Sequence, residues 1–214
     1  MDDVDICAGT SDPPRSTRPY HHGDLRADLV ARALDILRDT PPEALSLRAL
    51  AWAAGVSHNA PYMHFKDKDA LLRAVADEGF ARMGPAIVAA LDRAGDNWRA
   101  RLTGGCLAYC HFARDHASWV RVMLRPRNDA DETAGAATIA LLSRELAQGI
   151  DAGHLAVDDP DDTALMIWSL LHGCCDVVST MEGGPLPDPG IAFETRIIGF
   201  LDRIFTGLVV RDGP

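Results

Sequence analysis

The chain has 214 residues, of which 47% are apolar and 24% charged, with a formal net charge of −10. That length suits one large domain, or a small module joined to a larger one, with enough apolar residues for a sizeable core. It excludes an integral membrane protein, because no uninterrupted apolar run approaches the roughly 18 residues a span needs.

Residues 1–19 are polar, hold Asp2, Asp3, Asp5 and Asp12, and are punctuated by Pro13, Pro14 and Pro19. They read as a flexible arm and not as a secretory signal. Five cysteines (Cys7, Cys106, Cys110, Cys174, Cys175) are an odd number without a disulfide pattern, so reduced thiols and a cytoplasmic location are expected. The acidity is uneven. Residues 1–14 carry four acids and no base, residues 15–83 ten Lys/Arg against nine Asp/Glu, and residues 84–214 eleven against eighteen. The near-neutral N-terminal part can therefore still present a basic face despite the overall charge.

From Asp24, Leu25, Leu29, Ala33, Ile36 and Leu37 recur at three- and four-residue steps, the signature of an amphipathic helix with Asp24 as N-cap. Pro41 and Pro42 end it. Ser46 then caps a short helix with Leu47, Leu50 and Ala51, which Gly55 stops. Ser57 caps a third short helix, and Asp67 or its neighbour a long fourth one through Leu71, Leu72, Val75 and Phe80. Helix, short helix, glycine turn and short helix over 24–65 is helix-turn-helix spacing. Downstream, helices are predicted at about 96–116, 118–124, 131–153, 161–181 and 190–210. Pro126, Pro160, Pro185, Pro187 and Pro189 fall between them. No long period-two run exists, so the chain reads as all-α. The expected organisation is an arm over 1–19, a three-helix DNA-binding domain over 20–66, the start of a connecting helix over 67–83, and a second helical domain over 84–214.

On the third helix, His58, Asn59 and Tyr62 share one face, while Val56, Pro61 and Phe65 pack inward. Asn suits a bidentate contact to adenine, and His and Tyr hydrogen-bond base edges or phosphates in a major groove. Ser46 and Arg48 start the second helix, where they can clamp a phosphate or reach a base. Trp52 packs on the first helix or against sugar-phosphate. Arg15 and Arg18 are either solvated or reach a minor groove.

The run Leu45-Ser46-Leu47-Arg48-Ala49-Leu50-Ala51-Trp52-Ala53-Ala54-Gly55-Val56-Ser57, then Tyr62-Met63-His64-Phe65-Lys66-Asp67-Lys68 and Ala70-Leu71-Leu72, resembles the TetR family of bacterial transcriptional regulators over residues 20–83. Tyr20-His21-His22-Gly23-Asp24-Leu25, with Trp168 and His172-Gly173 downstream, resembles its subgroup named for a Trp-His-Gly motif. The resemblance implies DNA binding through Ser46, Arg48, Ser57, His58, Asn59, Tyr62, His64 and Lys68, with His64 and Lys68 on phosphates. It also implies a homodimer and a small-molecule effector. The implied partner is a double-stranded DNA operator, and neither membrane binding nor a cofactor is expected.

One short helix reads few base pairs, which independently motivates a two-fold dimer. Leu165, Met166, Ile167, Trp168, Leu170 and Leu171, with Ile197, Ile198, Phe200, Leu201, Ile204, Phe205 and Leu208, place apolar residues on more than one face of the last two helices, as a four-helix dimer bundle requires. Tyr109, Cys110, His111, Trp168 and His172, near Cys106, His116, Cys174 and Cys175, are the effector candidates. Cys106 and Cys110, at i and i+4, leave open a metal- or thiol-responsive variant, although no metal ligand is assigned. A protein that kept the fold but binds ligand or partner without DNA is the competing class. No phosphate loop, Gly-x-Ser-x-Gly or metal-ligand spacing points to an enzyme.

Overall fold

The computed structural model describes residues 24–125, 134–180 and 192–208. They form helices α1 (Leu25–Asp39), α2 (Leu47–Ala54), α3 (Lys68–Arg93), α4 (Trp98–Asp115), α5 (Ala117–Met123), α6 (Ala134–Asp151), α7 (Pro160–Thr180) and α8 (Phe193–Leu208). Single 3₁₀ turns occupy Pro42–Ala44 and Pro61–Met63, and no β-strand occurs among the described residues. The all-α expectation holds. The arm with Cys7, Arg15 and Arg18, the Tyr20-His21-His22-Gly23 segment, and Pro126, Pro185, Pro187 and Pro189 lie outside the described residues.

Local chemistry explains where the helices start. The side chains of Asp24, Ser46, Asp67 and Asn97 accept hydrogen bonds from the N–H groups of Ala27, Ala49, Ala70 and Ala100 at 2.8–3.1 Å. Each cap is worth about 1 kcal/mol. Gly55 ends α2 with φ 67° and ψ 26°, a left-handed conformation in which a Cβ is strained.

The third element of the helix-turn-helix differs from the sequence expectation. It winds through i→i+3 bonds, Ala60 N–H to Ser57 O, Tyr62 N–H to Asn59 O, Met63 N–H to Ala60 O and His64 N–H to Pro61 O. Pro61 has no N–H for either an α or a 3₁₀ bond, and as the first residue of the Pro61–Met63 turn it needs none. Ser57 offers a carbonyl here, while the turn itself starts at Ala60 without a side-chain cap.

Leu29, Leu34 and Leu37 of α1 meet Leu45 and Leu50, Phe65, and Leu71 and Val75 of α3, all at most 1% exposed. Each such leucine contributes about 1.5–3 kcal/mol relative to exposure. Pro61 and Phe65 are buried and Val56 partly so, as the sequence predicts. α3 continues without a break through residue 84 to Arg93 and carries this module into the rest of the chain.

α3 is the wall on which α4, α5 and α6 pack. α5 can close on it because Gly79 has no side chain, since a Cβ there would lie 2.7 Å from Met123 Sδ. α7 packs on α4 and α6. Its outer face leaves Leu165, Met166, Leu170 and Val177 about half exposed. On α8, Ile197, Leu201 and Phe205 are fully buried within the chain against α4 and α7, Ile198, Phe200, Ile204 and Leu208 are half-buried, and the exposed residues include Thr195, Asp202, Arg203 and Thr206. Among the described residues the more exposed apolar face of the two helices is that of α7.

Candidate nucleic-acid interface and effector cavity

Ser57, His58, Asn59, Tyr62 and His64 all project from the 3₁₀ segment into solvent. Its winding brings the His58 and Tyr62 rings to 5.8 Å and the His58 Nδ1 to 3.3 Å from Asn59 Oδ1. Beside them stands Met63, 82% exposed, which the sequence reading passed over. Its signal was available: with Pro61 and Phe65 facing inward, position 63 has to face out. Arg48 is exposed on α2, and Ser46 spends its Oγ lone pair on the Ala49 N–H while its own O–H stays free to donate. Trp52 is 80% exposed and so does not pack on α1.

Lys68 sits in the first turn of α3, and its Nζ donates to the Glu43 carbonyl at 2.9 Å. This bond fastens the start of α3 to the turn preceding α2, with the charge held beside Ser46 in the chain. One of the N–H groups at the α3 N-terminus, that of Ala70, is taken by Asp67.

The second site is a cavity of about 390 Å³ between α3, α4, α5, α6 and α7, walled by Phe80, Met83, Tyr109, Met123, Ile139 and Trp168 among others. Arg125 and Gly135 stand at its border. Deeper in lies a smaller space of about 40 Å³, lined mainly by aliphatic residues such as Ile87, Leu91, Leu142 and Leu171. Tyr109, Thr138, Ile139 and Trp168 line both.

A hydrogen bond stands at their shared wall, with the Tyr109 hydroxyl 3.0 Å from His172 Nδ1. Trp168 and His172 also stack, with rings 5.7 Å apart. Burial, reinforced by nearby Cys175 and Cys110, pushes the Tyr109 hydroxyl well above its usual range, so it remains a proton donor.

The other effector candidates scatter. Cys106 lines the inner space, and burial pushes its thiol up to about 12. Cys110 is fully buried behind Tyr109 and donates to Cys175, which raises Cys110 and lowers Cys175. His111 points elsewhere: it lies 3.8 Å from Glu194 and near the Phe193 ring of α8. The cause is helical period, since α4 turns 109 and 110 inward and 111 away from the cavity. Among the described residues no group of three His, Cys, Asp or Glu is arranged to hold a metal ion, and no helix is long and apolar enough to cross a membrane.

Two contacts absent from the sequence expectations border the cavity, and the first of them joins it to the helix-turn-helix module. On α5, Val120 and Met123 line the cavity while Trp119, on the same short helix, donates its Nε1–H to the Leu34 carbonyl of α1 at 3.0 Å. His116, at the break between α4 and α5, stacks on Trp119 with ring centroids 4.1 Å apart. The second contact is a bidentate ion pair. Arg101 donates from Nε and one Nη to Glu145 at 2.8 and 2.9 Å, and from the other Nη to the Leu91 and Gly95 carbonyls. It locks the end of α3 to α4 and α6 at the wall of the inner space.

Comparison with known proteins agrees with this architecture. Residues 29–75 match the family model described as "Bacterial regulatory proteins, tetR family". Residues 102–197 match the model described as "Tetracyclin repressor-like, C-terminal domain". Tetracycline repressor protein class C from Escherichia coli is 31% identical over 208 residues, covering 84% of this chain and 91% of that protein. A protein of unknown function from Rhodococcus sp. RHA1 superposes with a TM-score of 0.79 at 33% identity, covering 90% of this chain and all of that one. A TetR variant from Acinetobacter baumannii AYE in complex with minocycline shares the fold, with a TM-score of 0.61 at 20% identity over 85% and 94% of the two chains. With helix-turn-helix, connecting helix and helical C-terminal part all matched in order, the chain belongs to the TetR family of DNA-binding transcriptional regulators.

Proposed function

We propose that this regulator is a homodimeric repressor that leaves a palindromic operator when a small molecule occupies the cavity. The observation that carries the reading is the double role of α5: Val120 and Met123 touch the cavity, and Trp119 touches the DNA-binding module. An occupant that shifts α5 shifts α1 with it. The effector then selects a conformation in which the two reading segments are wrongly spaced for successive major grooves.

In the bound state His58, Asn59 and Tyr62 read base edges from the 3₁₀ segment. Ser46, Arg48, Ser57, His64 and Lys68 hold phosphates or, for Arg48, a base. The α7 face with Leu165, Met166, Leu170 and Val177 supports pairing with a second copy, because its burial removes an apolar patch that is unpartnered in the single chain. Tyr109, Trp168 and His172 form the part of the effector site that responds to occupancy, and Cys110 supports them from behind.

The test is selection of bound duplexes from a random pool by the purified protein. A palindromic site is expected, and Tyr62→Ala should weaken binding to it by roughly 1–3 kcal/mol with the dimer intact. Unchanged affinity in that variant would remove Tyr62 from the reading face, and the absence of any enriched sequence at low salt would refute operator binding.

A further inference from the structure

The wall of the cavity carries more information than its volume. Its side chains with hydrogen-bonding atoms are few, and most are already engaged. Tyr109 is held by His172, Glu145 is neutralised by Arg101 through two bonds, and Thr138 has a partner of its own. Among the described residues that line the outer chamber, the remaining charge is Arg125, an exposed residue. Among the described residues no carboxylate pairs with it. Apart from Thr138, the other described residues lining the 390 Å³ chamber are apolar or aromatic, and the 40 Å³ space beside Tyr109 and Trp168 is lined mainly by aliphatic residues.

We infer that the effector is an amphipathic monocarboxylate: an apolar body in the outer chamber, a slim end reaching toward the inner space, and a carboxylate on Arg125. This rests on the reading of the cavity as an effector site and names its ligand class. A polyhydroxylated ligand would surrender its water hydrogen bonds to walls that cannot replace them. An ammonium ligand would meet a like charge at the border. A neutral apolar molecule gains the burial but leaves the guanidinium without a partner. A carboxylate gains both, since the guanidinium fork matches its two oxygens. The inner space, about 40 Å³ against about 390 Å³ for the outer chamber, admits a narrow methyl or methylene end and not a ring.

The probes are sodium decanoate, decan-1-ol and decylamine, measured by calorimetric titration against the full-length dimer, with operator release recorded in parallel. Decanoate is expected to bind at least about tenfold more tightly than the alcohol, the margin of one charge-assisted hydrogen bond. Arg125→Gln, on an exposed residue that does not bear on folding, should remove that margin while leaving the alcohol within about twofold. Leu142→Phe, which fills the inner space, should shift the preferred chain to a shorter carboxylate. Equal affinity for decanoate and decan-1-ol, or an unchanged decanoate affinity in Arg125→Gln, overturns the carboxylate assignment while the cavity reading stands. Decanoate that binds through Arg125 yet leaves the operator complex intact upholds the ligand class and overturns release. No binding of any of the three overturns the ligand class, and the operator-selection experiment then decides the regulator separately.

Discussion

The Arg101–Glu145 pair offers a sharp test of how this structure is held together, because its two partners sit in different surroundings. The Glu145 side chain is 5% exposed and the Arg101 side chain 25%. In Arg101→Met the Glu145 carboxylate stays buried without its cation. Breaking a buried pair from that side costs about 3–5 kcal/mol. In Glu145→Leu the guanidinium keeps the Leu91 and Gly95 carbonyls at 3.2 Å and some solvent, so about 2–3 kcal/mol is expected. The double variant Arg101→Met/Glu145→Leu replaces the pair with apolar groups of similar size and should lie within about 1 kcal/mol of the parent. The cycle therefore predicts a coupling of about 3 kcal/mol or more. At this chain length 1 kcal/mol moves Tm by about 2–4 °C, so Arg101→Met should melt roughly 10 °C lower. The assay is urea unfolding followed by helical circular dichroism at one fixed protein concentration, so that any self-association enters every variant alike. Additive single effects in the double variant would refute the pairing. A larger loss in Glu145→Leu than in Arg101→Met would refute the reasoning from exposure.

Three further outcomes are expected. Lys68→Ala should weaken binding to all DNA sequences and flatten the salt slope by about one unit; because Nζ also holds the Glu43 carbonyl, the protein should lose about 1 kcal/mol of stability as well, and a defect confined to one base position would contradict the phosphate role. For His116, burial beside Arg38 and Arg82 outweighs the pull of Asp115 and lowers its pKa, while its Nδ1 is buried without a hydrogen-bond partner. The unfolded chain then takes up the proton first, so the contribution of His116 is full above an unfolded value near 6.5 and is lost as pH falls from there toward the folded value. His116→Phe should flatten unfolding stability between pH 7 and 5, and an identical pH profile in both proteins would refute the assignment. Cys106, pushed up to about 12 by burial, should resist iodoacetamide at pH 8 in the folded protein and react in urea; rapid labelling of the folded protein, read by peptide mass spectrometry, would show that the thiol is not buried.

Local chemistry made much of the fold legible in the sequence. Asp24, Ser46, Asp67 and Gly55 act on backbone groups within four residues, so their roles as caps and stop follow from order along the chain. The inward turn of Pro61 and Phe65, and the exposure of His58, Asn59 and Tyr62, follow from period alone. The 3₁₀ winding of the third element departs from the short capped helix expected there. The cavity and its couplings were of another kind. Tyr109 and His172 are 63 residues apart, Arg101 and Glu145 44, and Trp119 and Leu34 85. Nothing in a helix period says which of several inward-facing residues meets which partner. His111 illustrates this: adjacent in sequence to Tyr109 and Cys110, it was turned by one more step of α4 to Glu194 on α8. α8 illustrates it too: packing against α4 and α7 took Ile197, Leu201 and Phe205 into the interior and left Ile198, Phe200 and Ile204 half-buried. Sequence by itself determined the helices, their caps and the exposure of His58, Asn59 and Tyr62, because those depend on neighbours along the chain. Tertiary structure alone decided which side chains enclose the cavity and which helix touches both it and the helix-turn-helix module, because those depend on which faces remain after the core has closed.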